Sequence, residues 1–145
     1  MSGVLRVISL CLALLVASAA RGADGDDATQ AADAILAALD DQRYESIWAH
    51  QSSQTLRDKV AKDDFVARIA IGRAQLGRIQ NRKLVEVSSA QSAVPAGYQG
   101  TVYAVSYLNT YAAGRYLERV VVLKEKDGKF RLAGLWGTNA PAEPK

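Results

Sequence analysis

Hydrophobic residues recur at helical spacing up to Gly77 and alternate from Arg78 onward, and this one change of period confines the chain to an α+β plan. In the first half, Ala28, Ala31, Ala32, Ile35 and Leu39 share a helical face, with Asp27 placed to cap the helix start. Asp40-Asp41-Gln42-Arg43 breaks that pattern, and Tyr44, Ile47 and Trp48 resume it on a short second helix. Ser52 and Ser53 are cap residues for a turn carrying Leu56 and Val60. Lys62-Asp63-Asp64 opens a longer helix with Phe65, Ile69 and Leu76 on one side and Gly77 as its stop.

The second half reads as strands. Lys83–Ser88 is the first, Ser92–Gly97 a loop, and Thr101–Tyr111 a long strand rich in aromatic and β-branched residues. Ala112-Ala113-Gly114 turns the chain into Tyr116–Lys126, and Asp127-Gly128 reads as a two-residue hairpin turn before Phe130–Trp136. On Tyr116–Lys126 both faces are apolar, since Leu117, Val121 and Leu123 alternate with Tyr116, Val120 and Val122. A strand of that kind is covered on both sides or curled around something. The expected fold is therefore α+β: N-terminal helices packed on a curved antiparallel sheet of about four strands, rolled around the helices.

The N-terminus carries an address. Arg6 followed by Val7–Val16 is a positive start and an apolar run shorter than the about 20 residues of a membrane span. Ala17-Ser18-Ala19-Ala20 supplies the small residues for cleavage, after Ala19 or Ala20, with Ala23 a less favoured cut. The chain thus divides into a signal peptide at 1–20, an unstructured leader at 21–27, one domain at 28–138 and a loose tail at 139–145. Periplasmic or secreted localisation follows, with no membrane anchor after cleavage. Cys11 is the only cysteine, and Leu10 before it together with the apolar run after it argue against lipidation. The mature domain then has no thiol ligand and no disulfide, and its stability must come from a core that about 120 residues can build.

The formal charge of +3 is unevenly spread: acids outnumber bases from Arg21 to Gly77, and bases outnumber acids from Arg78 onward. Arg73, Arg78, Arg82 and Lys83 cluster at the helix-to-strand join. Arg119, Lys129 and Arg131 fall on a register that can share a face, a basic surface for an acidic glycan, a phospholipid or an acidic partner. Nucleic acid is a poor partner for an exported chain without aromatics interleaved among its cations. His50, the lone histidine, ends the short second helix with no second His or Cys near it in sequence, so it reads as a helix-end residue and no metal or cofactor is expected.

Three segments carry a resemblance: Asp40-Asp41-Gln42-Arg43-Tyr44-Glu45-Ser46-Ile47-Trp48, Arg73-Ala74-Gln75-Leu76-Gly77-Arg78, and Tyr103 to Tyr107 with Glu118-Arg119-Val120 beyond it. They resemble the bacterial secreted family called domain of unknown function 4019. The final Asp127–Trp136 hairpin is similar to that of the nuclear-transport-factor-2-like, cystatin-like roll. The chain departs from the family pattern at Ala74, where a proline is usual, and near Ile69 and Ala70, where an aromatic is usual. The resemblance implies a secreted roll and no assigned activity. Rolls of this class often hold a pocket in the open end of the cone, and here Tyr44, Trp48, Tyr103, Tyr107 and Trp136 are the candidate ligand-binding residues. The expected function is non-enzymatic binding of a small ligand or an envelope protein through the cone or the sheet, with a homodimer through the sheet as a further use. The alternative is a small isomerase- or hydrolase-like enzyme, with a carboxylate such as Asp40 and a tyrosine among Tyr103, Tyr107, Tyr111 and Tyr116 as its acid/base pair.

Overall fold

The computed structural model describes residues 4–89, 98 and 100–141, with side chains from residue 22 onward. The expected loop at 92–97 and residues 142–145 of the expected tail lie outside these, as do the side chains of the signal-peptide reading. In chain order the elements are α1 (Val4–Asp40), α2 (Tyr44–Ser46) running into a π-helical turn (Ile47–Gln51), α3 (Gln54–Lys59), α4 (Lys62–Leu76), and strands β1 (Ile79–Ser89), β2 (Val102–Tyr111), β3 (Gly114–Lys124) and β4 (Phe130–Asn139). The four strands form one antiparallel sheet in the order β1-β2-β3-β4. This is the α+β arrangement that the change of period at Arg78 predicts. Among the described residues no helix is long and apolar enough to cross a membrane.

The leader expected to be unstructured at 21–27 is helical over its described residues. Thr29 Oγ1 donates to the Gly25 carbonyl, as a continuing helix allows, and Lys124 on β3 holds Asp24 at 2.7 Å. Asp27 therefore lies inside α1 and is not its cap; the acidic leader finds a cation on the sheet, which no local pattern reveals.

The helices bury one face of the sheet. Ala28, Ala32, Ile35, Leu36 and Leu39 of α1 pack with Ile47, Phe65, Val105, Tyr107, Val120, Val122, Phe130 and Leu132. The alternate side chains of the strands, Val102, Ala104, Val121 and Leu123, form a smaller cluster on the other face with Tyr98 and Ala133. That division explains the two apolar registers of β3. Ser53 caps α3 by accepting from the Leu56 amide, and its own amide donates to the Leu132 carbonyl, so the cap also pins α3 to β4.

Two turns depend on glycine. The β3–β4 connection is not the two-residue turn that Asp127-Gly128 suggests: the Gly128 amide bonds to the Glu125 carbonyl, the Glu125 amide to the Lys129 carbonyl, and Gly128 has φ +81°. This is a type I turn closed by a left-handed residue, the three-residue alternative for the same dipeptide. Gly77 ends α4 at φ +74°, and a Cβ there would stand 3.0 Å from that of Ala112. With ψ −159° the glycine occupies an extended positive-φ region that is essentially restricted to glycine, so Gly77→Ala is expected to cost about 1–3 kcal/mol, read as a lower thermal midpoint with an unchanged far-ultraviolet spectrum.

Candidate functional site

A line of polar side chains crosses the helix-facing side of the sheet at the end where β2 turns into β3. Arg82 on β1 forks onto Asp40 at the end of α1 (2.9 and 3.2 Å), and its Nε donates to Asn109 Oδ1 on β2. Asn109 Nδ2 in turn donates to Glu118 on β3 at 2.7 Å. Glu118 also accepts from Arg73 on α4 at 2.8 Å and from the Tyr111 hydroxyl at 3.0 Å, and Arg73 donates to that hydroxyl as well. Five elements are thus joined by two ion pairs with one asparagine between them.

The alternation of strands puts Asn109 and Tyr111 on the same side of β2, and antiparallel register brings Glu118 of β3 opposite Tyr107 of β2. Arg73 reaches them from the last turn of α4, which Gly77 ends with its amide bonded to the Arg73 carbonyl. Glu118 is only 3% exposed. A carboxylate taken so far from water is tolerable only when paired and hydrogen-bonded. Here both oxygens are occupied, and among the described residues no buried side-chain nitrogen or oxygen lacks a partner. Burial, and then the charge of Glu118, push the Tyr111 phenol up from its ordinary range, so it remains a donor.

Above this network lies a cavity of about 710 Å³. Leu39, Tyr44, Ala70, Ala74 and Ile79 give it apolar walls, and Asp40, Arg73 and Tyr111 a polar floor. Arg78 stands at its rim, exposed. Asp40 is taken by Arg82, Arg73 by Glu118, and Asp41 by Arg43, which leaves Arg78 as the cavity's unmatched charge among the described residues.

The aromatic residues that the sequence offers for a pocket are spread apart. Tyr44 lines the cavity. Trp48 packs on Phe65 at 5.4 Å between ring centroids, and Tyr103 stands edge-on to Phe130 at 5.9 Å. Tyr107 is buried under α1 with its hydroxyl donating to Asp33 at 2.6 Å. Trp136 is 55% exposed on the opposite face of the sheet. The basic residues also separate: Arg131 is held by Asp127 and Glu125, Lys129 sits exposed in the β3–β4 turn, and Arg119 lies on the outer face with Nε 3.4 Å from Ser106 Oγ. His50 is exposed and borders a hollow whose carboxylates, Glu125 and Asp127, are bound to Arg131. Among the described residues no three His, Cys, Asp or Glu side chains gather where they could hold a metal ion.

Sequence reasoning about a pocket passed over Glu118, Asn109 and Arg82. A Glu in a strand of valines, one residue from an Arg, looks like half of a solvated pair; the readable signal is its alternation with Tyr116, Val120 and Val122 on one apolar face of a strand whose other face is apolar too.

By fold and site, this is a small α+β domain whose helices are tied to the sheet by a buried ionic network beneath a cavity. The chain belongs to the family described as Protein of unknown function (DUF4019), whose model matches residues 31–135. Asp40, Tyr44, Arg73, Arg78, Arg82, Asn109, Tyr111 and Glu118 all lie within that span. Comparison with curated proteins and with solved structures returns no match.

Proposed function

We propose that this protein is an exported, non-enzymatic binding protein of the nuclear-transport-factor-2-like roll type, which holds a small acidic ligand in the cavity above the Arg73–Glu118 pair. The observation that carries this reading is the charge pattern of that cavity. Apolar walls would cover the ligand's body, every other charge is internally matched, and the rim keeps Arg78 for an anionic group.

The same pattern argues for binding over acid/base chemistry. A general base needs a lone pair free to take a proton. Asp40 is engaged by both guanidinium nitrogens of Arg82, and both Glu118 oxygens are filled by Arg73, Asn109 and Tyr111. Export rests on the N-terminal sequence. A cut after Ala19 or Ala20 keeps Asp24 in the mature chain, with its bond to Lys124, whereas a cut after Ala23 would place the new terminus beside that pair.

Native mass spectrometry of the protein purified from its host's envelope tests both parts. The expected result is a chain starting at Ala20 or Arg21 with an added small mass, absent from Ala74→Trp, which fills the cavity, and at least tenfold less occupied in Arg78→Glu. A chain that carries no added mass would overturn the binding reading, and an uncut chain in the cytoplasmic fraction would overturn export.

A further inference from the structure

The opposite face of the sheet carries a second arrangement that owes nothing to the cavity. Register places Glu86, Ser106, Arg119 and Trp136 in one row across β1, β2, β3 and β4, on the face away from the helices. Arg119 and Trp136 are direct neighbours, their Cα atoms about 5 Å apart. In the adjoining row stand Ser88, Ala104, Val121 and Gly134. From these rows Ser88, Ala104, Ser106, Arg119, Val121 and Trp136 line a groove of about 530 Å³, to which Leu117 and Thr138 add.

Trp136 does not stand up from the sheet. Its indole lies along β4 over Gly134, so close that any Cβ at position 134 would fall inside the ring's van der Waals envelope. The glycine is what lets the ring reach along the strand this close to the backbone, and more than half of Trp136 stays open to solvent. Arg119 beside it makes no ion pair among the described residues, and no carboxylate lines the groove. Glu86, the acid in the same row, is two strands away on the edge, about 10 Å by strand spacing.

An exposed indole ring, a guanidinium without an ion-pair partner next to it, and the hydroxyls of Ser88, Ser106 and Thr138 around it form a matched set. We propose that this face binds an acidic sugar, with the apolar side of a pyranose ring stacked on Trp136 and its carboxylate received by Arg119. Guanidinium–carboxylate bonds are charge-assisted and take two parallel donors, which fixes the sugar's orientation on the ring. An acyl chain is a poorer occupant, because an open groove would leave much of its length in water. A second copy packed face to face would bury Arg119 against a groove that offers no acid.

Titration calorimetry with digalacturonate and with its methyl ester reads the proposal directly. The expected result is binding of the acid, weakened by salt, at least tenfold tighter than the ester. Trp136→Ala should abolish it, Arg119→Gln should erase the preference for the acid, and Gly134→Ala should weaken it at least tenfold with both binding side chains still present. Trp136 is exposed, so its replacement leaves folding intact, and Tyr44→Ala in the cavity should leave the sugar affinity unchanged. Binding of acid and ester alike, binding unaffected by Trp136→Ala, no binding of either sugar, or a dimer that Trp136→Ala dissociates in sedimentation would each overturn it.

Discussion

Glu118→Ala should lower the free energy of unfolding by about 3–5 kcal/mol, the usual cost of stripping one partner from a buried ion pair. Its removal leaves the Arg73 guanidinium, whose side chain is 10% exposed, facing the Tyr111 hydroxyl and Asn109 with no negative charge to meet it. Against a total stability of about 5–15 kcal/mol for a domain of this kind, that is enough to populate the unfolded state under mild denaturant. The measurement is a urea titration, in which the midpoint falls while the slope holds. Glu118→Gln keeps an acceptor for Arg73 and should cost less. The double replacement Arg73→Met with Glu118→Leu should recover most of the loss, because two apolar side chains remove both desolvation penalties together. A midpoint for Glu118→Ala equal to that of the natural chain would mean that Arg73 swings out to solvent, and the network would then have no structural role.

Tyr107→Ala is the second large effect, also about 3–5 kcal/mol, since an aromatic side chain is deleted from the centre of the core. Tyr107 is 2% exposed and packs among Ile35, Leu36 and Val120 between α1 and the sheet. Tyr107→Phe isolates the hydroxyl, whose bond to Asp33 is worth about 1 kcal/mol. The two states differ in how tightly this phenol keeps its proton: burial, and then the bond to Asp33, raise it in the folded chain far above the value near 10 of an unfolded tyrosine. A group raised on folding contributes fully below the unfolded value and loses that contribution as pH climbs above it. Stability should therefore decline above pH about 10, and less steeply in Tyr107→Phe than in the natural chain. Equal alkaline limbs would show that the hydroxyl titrates freely.

The same tyrosine shows why the binding residues were harder to read than the fold. Tyr103, Tyr107 and Tyr111 occur four residues apart and alternate onto one face of β2, which the sequence displays. Their fates differ with what other elements place against them: Phe130 of β4 beside the first, Asp33 of α1 over the second, and Arg73 of α4 over the third. Those partners lie tens of residues away in the chain. Only the last joins the cavity.

What the sequence determined by itself is local: the helical period up to Gly77, the alternation after it, the caps at Ser53 and Gly77, and hence helices followed by an antiparallel meander. These follow from φ/ψ preferences and from burying one stripe or one face, which act between residues near each other. Only the tertiary structure decided that Asp24 meets Lys124, that Asp40, Arg82, Asn109, Glu118 and Arg73 join into one network, and that Trp136 and Arg119 share the face away from the helices. Charges and hydrogen-bond donors accept a partner from any element that comes within reach, and packing alone settles which element that is.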